Sequence, residues 1–394
     1  MKRICIVTST RAEYGLLTPL IVKLGNDKDF DLRVVATGTH LSSEFGMTVN
    51  EIEQDGIKVD KKIEILMSSD TTIGISKSMG LALFGFSEYF DECKPDALVV
   101  LGDRYETFAI CAAATVSRIP IFHIHGGETT EGAIDEAMRH SITKMSYIHF
   151  ASTENYRKRI IQMGECPDRV FRVGALGVEN AINTPLMSLK ELEHSIGIEL
   201  GTRYAVGTFH PVTLENNTAK QQIEEIIKAI SVHEDMFFLF TKANADTDGR
   251  LVNKMLQSYM DKRKNLVLVD SLGKRKYLSA VKHSRFVIGN SSSGLIEAPS
   301  LGVPTINIGD RQKGRIAGET VIHCNPIACE IDNAINRVEE DAFRGRVDYA
   351  INPYGDGKTS DQIVKIIRDV LLRTNIVLKK EFYDISFIEG GGRA

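Results

Sequence analysis

The sequence predicts an α/β fold built from two doubly wound parallel sheets. Short apolar runs alternate with longer amphipathic segments along nearly the whole chain, which is the pattern of repeated strand–helix–strand units. Some runs, such as Ala97–Leu101, are apolar on both faces, as strands are when helices cover both sides of a parallel sheet. The 394 residues also exceed what one hydrophobic core usually holds, so two domains are expected.

The predicted elements fall into two successive cycles. The strands of the first cycle are Arg3–Val7, Leu32–Thr37, Ala97–Leu101, Ile119–His123 and Tyr147–Ala151. Its helices are Leu16–Leu24, Thr72–Phe90, Glu106–Val116 and Asp135–Lys144. The strands of the second cycle are Arg203–Gly207, Met236–Thr241, Asn265–Val269, Phe286–Ile288 and Thr305–Ile308. Its helices are Ala219–Val232, Gly249–Lys262, Arg275–Lys282, Ser293–Ser300 and Ser360–Leu372. We expect an N-terminal domain over residues 1–180, a C-terminal domain over 181–375, and a segment 376–394 that packs back on the first domain.

Composition narrows the class of protein. A net charge of −4 argues against a dedicated nucleic-acid binder, and no apolar run approaches the roughly 20 residues that cross a bilayer. The six cysteines are scattered without a Cys-x-x-Cys pair, so we expect reduced thiols, a cytoplasmic protein and no metal site. The dinucleotide fingerprint Gly-x-Gly-x-x-Gly and the Walker A pattern are both missing, which disfavours an NAD enzyme and a phosphate-loop ATPase.

The most informative stretch is the glycine- and serine-rich segment Gly289–Glu297. It follows the apolar run Phe286–Ile288, so a strand is expected to enter a turn that opens a helix. Such a turn offers backbone N–H groups, hydroxyl donors and a positive helix end to phosphate oxygens. Glu297 stands about one turn later, where a carboxylate can accept hydrogen bonds from a sugar diol. The segment predicts a nucleotide site; the alternative is a polar turn capped by Ser293.

Charged side chains also follow the predicted strands, where open α/β sheets bind their ligands. Arg11 follows the first strand and suits a phosphate, with a surface charge as the alternative. Asp103 and Arg104 follow Ala97–Leu101, and they either act on a ligand or pair with each other. His210 follows the first strand of the second cycle, where it can donate to a phosphate, move a proton, or have no role.

A dense set of titratable groups begins at His123. The set contains His123, His125, Glu128, Glu131, Asp135, Glu136, Arg139 and His140. Asp135 and Arg139 stand four residues apart and therefore share a helix face. A solvent-facing charged helix and a metal centre at the His-x-His pair are the alternatives. Another cluster, in Gly309–Arg315, places positive charge near the glycine–serine turn, or forms a solvated basic loop.

Taken in order, these segments resemble the UDP-N-acetylglucosamine 2-epimerase family, and more closely its hydrolysing branch. They are Thr8–Tyr14, Gly102–Arg104, His123–Glu128, Gly132–His140, His210–Thr213, Gly289–Glu297 and Gly309–Arg315. The resemblance implies two facing Rossmann-like domains, the glycosyltransferase-B architecture, with UDP held mainly by the C-terminal domain. It also implies a UDP-sugar substrate without a cofactor. The apolar segment Met79–Phe90 favours a homo-oligomer, either a dimer or a tetramer.

The resemblance further implies roles for matching residues. Those expected to bind the UDP-sugar are Arg11, Arg104, His210, Asn244, Ser291, Ser292, Gly294, Glu297 and Arg311. Those expected to be catalytic are Asp103, Asp135, Glu128, His125 and His210. The chain departs from the family at His125, where a glutamate treated as catalytic stands in much of the family. Either Glu128 takes over that duty or His125 itself carries the proton.

The implied reaction is hydrolysing epimerisation of UDP-N-acetylglucosamine to N-acetylmannosamine and UDP. Elimination of UDP would leave a glucal, to which water adds. One alternative is the same reaction on UDP-2,4-diacetamido-2,4,6-trideoxyglucose, and another is the non-hydrolysing epimerase. A UDP-sugar glycosyltransferase and a catalytically silent UDP-sugar sensor are the remaining alternatives.

Overall fold

The computed structural model divides the chain into two compact units of α/β structure. It describes residues 1–67, 71–130, 134–211, 218–243, 249–347 and 349–386. The first unit contains residues 1–128, 137–174 and 358–394, and the second contains residues 129–136 and 175–357. The chain therefore passes from one unit to the other more than once, at residues 128/129, 136/137, 174/175 and 357/358.

The first unit is built on one parallel sheet. Its strands are β1 (Lys2–Thr8), β2 (Phe30–Thr37), β3 (Lys61–Ile63), β4 (Ala97–Leu101), β5 (Ile121–Ile124), β6 (Ile148–Ala151) and β7 (Val170–Arg172), in the spatial order β3-β2-β1-β4-β5-β6-β7. Its helices are α1 (Arg11–Gly25), α2 (Val49–Gln54), α3 (Thr72–Cys93), α4 (Tyr105–Val116), α5 (Asp135–Met145) and α6 (Glu154–Gln162). The helix at Thr359–Arg373 also belongs to this unit, and the first two residues of α5 are grouped with the second unit.

The second unit is built on another parallel sheet. Its strands are β8 (Tyr204–Thr208), β9 (Phe237–Thr241), β10 (Leu266–Val269), β11 (Val287–Gly289), β12 (Thr305–Ile308) and β13 (Val321–Cys324), in the order β10-β9-β8-β11-β12-β13. Its helices are α7 (Leu176–Asn183), α8 (Leu189–Ile196), α9 (Ala219–Ser231), α10 (Gly249–Met260), α11 (Gly273–His283), α12 (Ser292–Ile296), α13 (Ala328–Glu339) and α14 (Asp341–Val347). The helix of the first unit at Thr359–Arg373 is α15.

Both sheets bury both of their faces. In β9, Phe238 and Phe240 pack in one hydrophobic cluster of the second unit, whereas Leu239 between them packs in another. Successive side chains of a strand point to opposite faces, so each face of this sheet is covered by its own layer of helices. The prediction of an α/β fold with parallel sheets is confirmed. It was possible because strands such as Ala97–Leu101 are apolar on both faces.

The strand order places a topological switch point in each sheet. In the first unit the order reverses between β1 and β4, and in the second it reverses between β8 and β11. Crossover connections leave the sheet in opposite directions at such a point, so a crevice opens at the carboxyl ends of the two strands. The segments after β1 and β4, and those after β8 and β11, are therefore where each unit is expected to bind a ligand.

The C-terminal part of the chain returns to the first unit. Helix α15 packs on α1, and Arg368 pairs with Asp27 and Asp29, so residues from 358 onward group with this unit rather than with the predicted domain 181–375. Lys380 then donates to Glu165 at 2.7 Å, and the Tyr383 N–H donates to the Gly164 carbonyl at 3.0 Å.

Some elements differ from their predicted bounds. The predicted helix Ser293–Ser300 is a five-residue helix, α12, followed by a 3₁₀ turn at Ala298–Leu301, because Pro299 has no N–H to continue the helical hydrogen bonds. The cap of α12 is Ser291, whose side chain accepts from the Ser293 N–H, and not Ser293. Within the described residues, no helix is both long and apolar enough to cross a membrane.

Candidate functional site

At the switch point of the first unit, β1 and β4 end side by side. Their register aligns Ile6 with Val99, so the segments that follow Thr8 and Leu101 leave the same edge of the sheet. Helix α1 begins at Arg11, after Thr10 has capped it by accepting from the Glu13 N–H at 3.2 Å. The Arg11 guanidinium forms an ion pair with Glu51 at 2.9 Å. The structure thus places Arg11 at a helix start beside the crevice, partly exposed and paired with a carboxylate.

Arg104 is held by a buried carboxylate in the next turn. Its Nε and Nη2 atoms donate to the two oxygens of Glu106 at 3.1 and 3.2 Å, and the Glu106 side chain is fully buried. Glu13 lies close enough to interact with this ion pair, and burial raises the pKa of Glu13 to about 7. One oxygen of Glu13 accepts from the Ser9 N–H and hydroxyl, whereas the other is buried and has no hydrogen-bond partner among the described residues. Sequence reasoning missed this cluster, because its carboxylates read as ordinary helix residues.

Asp103 is fixed by an arginine from helix α5. Arg139, whose side chain is 2% exposed, donates Nη2 to the Asp103 carboxylate and Nη1 to the Glu128 carbonyl at 3.0 Å. The Asp103 side chain stays 23% exposed, so the carboxylate is oriented without being enclosed. The alternative that Asp103 and Arg104 pair with each other is wrong, since each pairs with a different residue. An oriented, accessible carboxylate at a strand end is suited to proton transfer.

The segment after β5 is a tight turn. His125 has φ +67°, a left-handed backbone conformation that is uncommon outside glycine and that re-aims its side chain from the strand direction. Its Nδ1 lies 3.8 Å from a Glu128 carboxylate oxygen, which also accepts from the Ser152 hydroxyl at 2.8 Å. Gly127 has no room for a side chain, because a Cβ there would lie 2.5 Å from the Tyr156 carbonyl.

The first histidine of the His-x-His pair has a structural role. His123 is fully buried, its Nε2 lies 2.7 Å from the Gly102 carbonyl, and burial lowers its pKa to about 3. A neutral ring that donates from Nε2 to this carbonyl ties β5 to the loop carrying Asp103. Among the described residues, no group of three or more histidine, cysteine, aspartate or glutamate side chains could hold a metal ion.

Asp135 is the first residue of helix α5, and Arg139 follows one turn later as predicted. Asp135 belongs to the second unit and Arg139 to the first, so the chain passes from one unit to the other within the first turn of α5. Glu136, next in sequence, accepts from the Thr130 N–H at 2.6 Å.

At the switch point of the second unit, the glycine–serine turn follows β11 as predicted. Gly289 has φ +127°, and a Cβ there would lie 2.0 Å from the Thr208 carbonyl, so the close approach of β8 and β11 requires glycine. Asn290 and His210 then form two reciprocal hydrogen bonds of 2.7 Å between side chain and backbone. These bonds fix the ends of β8 and β11 to each other.

Arg311 reaches the same turn from the neighbouring strand. Its Nη1 donates to the Asn290 carbonyl at 3.1 Å, and Gln312 Nε2 donates to the same oxygen at 2.8 Å. Burial, together with the charge of Arg311, lowers the pKa of His210 to about 3. His210 is therefore neutral at physiological pH, and Arg311 supplies the positive charge at this turn.

Glu297 lies beneath the turn. Ser293 donates its hydroxyl to the Glu297 carboxylate, and a Cβ on Gly177 would lie 3.0 Å from that carboxylate. Burial raises the pKa of Glu297. Gly294 packs against β12, because a Cβ there would lie 2.6 Å from the Thr305 methyl group. Packing against β12 therefore requires glycine at this position.

A cavity of about 370 Å³ lies at the carboxyl ends of β12 and β13. Its lining includes Asn307 and His323 together with most of the loop Gly309–Arg315, although not Arg311. Asn307 is buried, and its Nδ2 donates to His323 Nδ1 at 3.1 Å. The sequence analysis singled out the loop Gly309–Arg315 but not the other residues that line this cavity.

The predicted site residues therefore form two groups. The first unit brings together Arg11, Asp103, Arg104, His125 and Glu128 at the ends of neighbouring strands. The second brings together His210, Ser291, Ser292, Gly294, Glu297 and Arg311. Asn244 lies outside the described residues, as do parts of the predicted segments Gly132–His140 and His210–Thr213.

Comparison with known proteins gives a concordant result. The model of the family described as UDP-N-acetylglucosamine 2-epimerase matches residues 22–368. A Campylobacter jejuni protein named GDP/UDP-N,N'-diacetylbacillosamine 2-epimerase (hydrolyzing) is 42% identical, covering 98% of this chain and 99% of its own. An Escherichia coli protein named polysialic acid biosynthesis protein P7 is also 42% identical, covering 98% of each chain. The crystal structure of a Neisseria meningitidis UDP-GlcNAc 2-epimerase bound to UDP-GlcNAc has a TM-score of 0.80 at 22% identity, covering 93% of this chain and 99% of that one. This structural likeness shows the fold, which is of the glycosyltransferase-B type.

Proposed function

The chain belongs to the UDP-N-acetylglucosamine 2-epimerase family, and from this premise we propose that it is a hydrolysing 2-epimerase of a UDP-linked 2-acetamido sugar. The observation that carries the proposal is Asp103, an accessible carboxylate oriented by the buried Arg139 at the switch point of the first sheet. The glycine–serine turn at the switch point of the second sheet supports recognition of the nucleotide.

The diphosphate would be held by the second unit. Ser291, Ser292 and Gly294 would surround it, with Arg311 supplying positive charge that the Asn290 carbonyl keeps in place. Glu297 would accept hydrogen bonds from the ribose hydroxyls. Arg11 and Arg104 are proposed as further UDP-sugar-binding residues, and His210 and Asn244 would line the nucleotide–sugar pocket. Cationic groups at the departing diphosphate would stabilise the charge that develops on it.

The reaction begins with loss of UDP, because the C2 proton of an N-acetyl hexosamine is too weakly acidic for a side-chain base alone. One carboxylate removes the C2 proton as the C1–O bond breaks, and the electron pair forms the C1=C2 bond of a 2-acetamidoglucal. Water then adds at C1 while a proton is delivered to C2 from the opposite face. We propose Asp103 and Asp135 for these proton transfers, with Glu128, His125 and His210 assisting.

Two substrates have specific support. The relative named for N,N'-diacetylbacillosamine favours the UDP-linked 2,4-diacetamido-2,4,6-trideoxy sugar, whereas the description of the matched family favours UDP-N-acetylglucosamine. The same enzyme chemistry acts on either sugar, because the two differ at C4 and C6 and react at C1 and C2.

The test is turnover of each UDP-sugar in deuterated water, followed by proton NMR. A free 2-epimerised sugar with deuterium at C2, released with UDP, is the expected product. A UDP-linked product would identify the non-hydrolysing reaction instead. Transfer of the sugar to an acceptor would identify a glycosyltransferase, and binding without turnover a sensor.

The proposed role of Asp103 is tested by Asp103→Asn. We expect turnover to fall by about 100-fold or more, with UDP affinity within about threefold of the parent protein, because the amide keeps a hydrogen bond to Arg139 but cannot take a proton. The matched control is Asp91→Asn, an exposed aspartate on α3 of the same unit. Full activity of Asp103→Asn would remove this carboxylate from the mechanism.

A further inference from the structure

A short stretch of the chain between β5 and α5 is attached to the second unit. Residues 129–136 group with that unit, although both flanking segments, ending at Glu128 and beginning at Ala137, belong to the first. The stretch contains Asp135, one of the carboxylates proposed for proton transfer. The position of this carboxylate thus depends on contacts that the stretch makes within the second unit.

Those contacts come from the loop that carries Arg311. Arg315 donates Nε to the Thr129 carbonyl at 3.2 Å and Nη2 to the Thr130 hydroxyl at 3.3 Å. Thr129 donates its hydroxyl to the Gly314 carbonyl at 2.7 Å. Two consecutive residues of each segment are therefore joined by three hydrogen bonds, and Thr129 is buried.

A hydrogen bond also joins the two ends of the stretch 129–136. The Thr130 N–H donates to the Glu136 carboxylate at 2.6 Å, and Glu136 is the neighbour of Asp135 in the first turn of α5. Hydrogen bonds thus run without interruption from Arg315, through Thr130, to the helix start that bears Asp135. The planar guanidinium, with donors in fixed directions, is suited to holding a carbonyl and a hydroxyl at once.

We propose that Arg315 is a positioning residue, which fixes the start of α5 and hence Asp135 to the nucleotide-binding loop Gly309–Arg315. This inference rests on the proposed function, since it assigns Asp135 a role in proton transfer. It differs from the sequence-based expectation that Arg315 adds charge near the phosphates. A positioning residue acts on the rate of the reaction, because a displacement of about 1 Å at a reacting group can cost on the order of 100-fold in rate.

The test compares Arg315→Met with Arg275→Met in the full-length protein. Arg275 is the matched control, because it also donates Nε to a backbone carbonyl in the second unit, that of Pro185 at 2.8 Å. We expect Arg315→Met to lower kcat by about 10- to 100-fold, with the UDP dissociation constant within about twofold. Arg275→Met should change neither by more than about twofold. Loss of kcat and UDP affinity together, or an unchanged kcat, would overturn the inference.

A double-mutant cycle distinguishes positioning from general destabilisation. Thr130→Val removes the hydroxyl that Arg315 holds while keeping the size of the side chain. If Arg315 acts through Thr130, the double variant Arg315→Met/Thr130→Val should lose no more activity than Arg315→Met alone. Fully additive losses would contradict the proposed path. Arg315→Lys should recover part of kcat, because the ammonium can donate to one of the two acceptors.

Hydrogen–deuterium exchange tests the positioning without requiring turnover. The peptide covering residues 125–140 should exchange faster in Arg315→Met than in the parent protein, and at the parent rate in Arg275→Met. Inactivity of the parent protein on both UDP-sugars would count against the proposed function, while this exchange would still report whether Arg315 holds the segment. Equal exchange in all three proteins would refute the inference.

Discussion

Replacing Glu165 by glutamine is expected to destabilise the first unit strongly. The Glu165 side chain is 2% exposed and accepts from Lys144 at 2.6 Å, from Lys380 at 2.7 Å and from His149 Nε2 at 3.1 Å. Lys380 belongs to the C-terminal segment, so this one carboxylate joins the end of the chain to α5 and β6. Glutamine keeps the shape of the side chain but removes the charge that these donors share.

The magnitude follows from the pKa of the carboxyl group. The surrounding donors lower the pKa of Glu165 to about 2 from an ordinary value of 4.5. One pKa unit corresponds to about 1.4 kcal/mol, so the ionised carboxylate stabilises the folded state by about 3 kcal/mol. Breaking a buried ion pair by removing one partner costs a similar amount, about 3–5 kcal/mol. Lys144 is 40% exposed and can turn to water, which favours the lower end of that range.

The assay is urea unfolding of parent and Glu165→Gln proteins, followed by circular dichroism because the chain has no tryptophan. We expect a loss of about 3 kcal/mol at pH 7 with a similar dependence on urea. Because the folded-state pKa is lowered, the parent's advantage is present above pH 4.5 and disappears as the pH falls toward 2. Glu154→Gln, which removes an exposed partner of Arg157, should cost less than about 0.5 kcal/mol. A loss below about 1 kcal/mol for Glu165→Gln would refute the reasoning.

Three further predictions concern the site and the surface. Gly289→Ala should abolish UDP binding or folding, because the new methyl group would clash with the Thr208 carbonyl. The control is Gly345→Ala on α14, where a methyl group would meet no other atom, and its melting temperature should stay within a few degrees of the parent's. The pKa of Glu13 is raised to about 7, so ionisation of this carboxyl group is unfavourable in the folded state. In chemical unfolding, Glu13→Gln should therefore gain about 3 kcal/mol of stability relative to the parent protein as the pH rises from 4.5 to 8. A stability difference that does not change with pH would contradict this reasoning. Phe84, 69% exposed on α3, is expected to lie in an interface between copies of this chain, so Phe84→Asp should lower the mass found by light scattering, and an unchanged mass would exclude that face.

The fold was largely predictable because most of its strands can be recognised from their own apolar residues. Runs such as Ala97–Leu101 are apolar throughout, which identifies a strand buried on both faces without knowledge of the strands that pair with it. The short strands β3 and β7 at the edges of the first sheet were not predicted, since each has three residues and incomplete burial. The return of α15 to the first unit depends on the pairing of Arg368 with Asp27 and Asp29, more than 300 residues away in sequence. No local pattern contains such a contact.

Site residues were predictable where they directly follow an apolar strand. Contacts with residues distant in sequence were not predictable. Asp103 and the Gly289 turn were identified from their place after apolar runs. The buried Arg139 that orients Asp103 lies on helix α5, 36 residues further along the chain, and this pairing is evident only in the folded structure. The left-handed backbone of His125 was not predicted either, because positive φ is uncommon for any residue other than glycine.

The path of the polypeptide also limits how this protein can be dissected. A fragment cut at residues 175 and 357 would lack the stretch 129–136, leaving Arg315 and the Gly314 carbonyl without Thr129 and Thr130. The complementary fragments would be interrupted within the connection from β5 to α5. Neither half is therefore a self-sufficient expression fragment, because separating the two would break the hydrogen bonds that Gly314 and Arg315 make with Thr129 and Thr130.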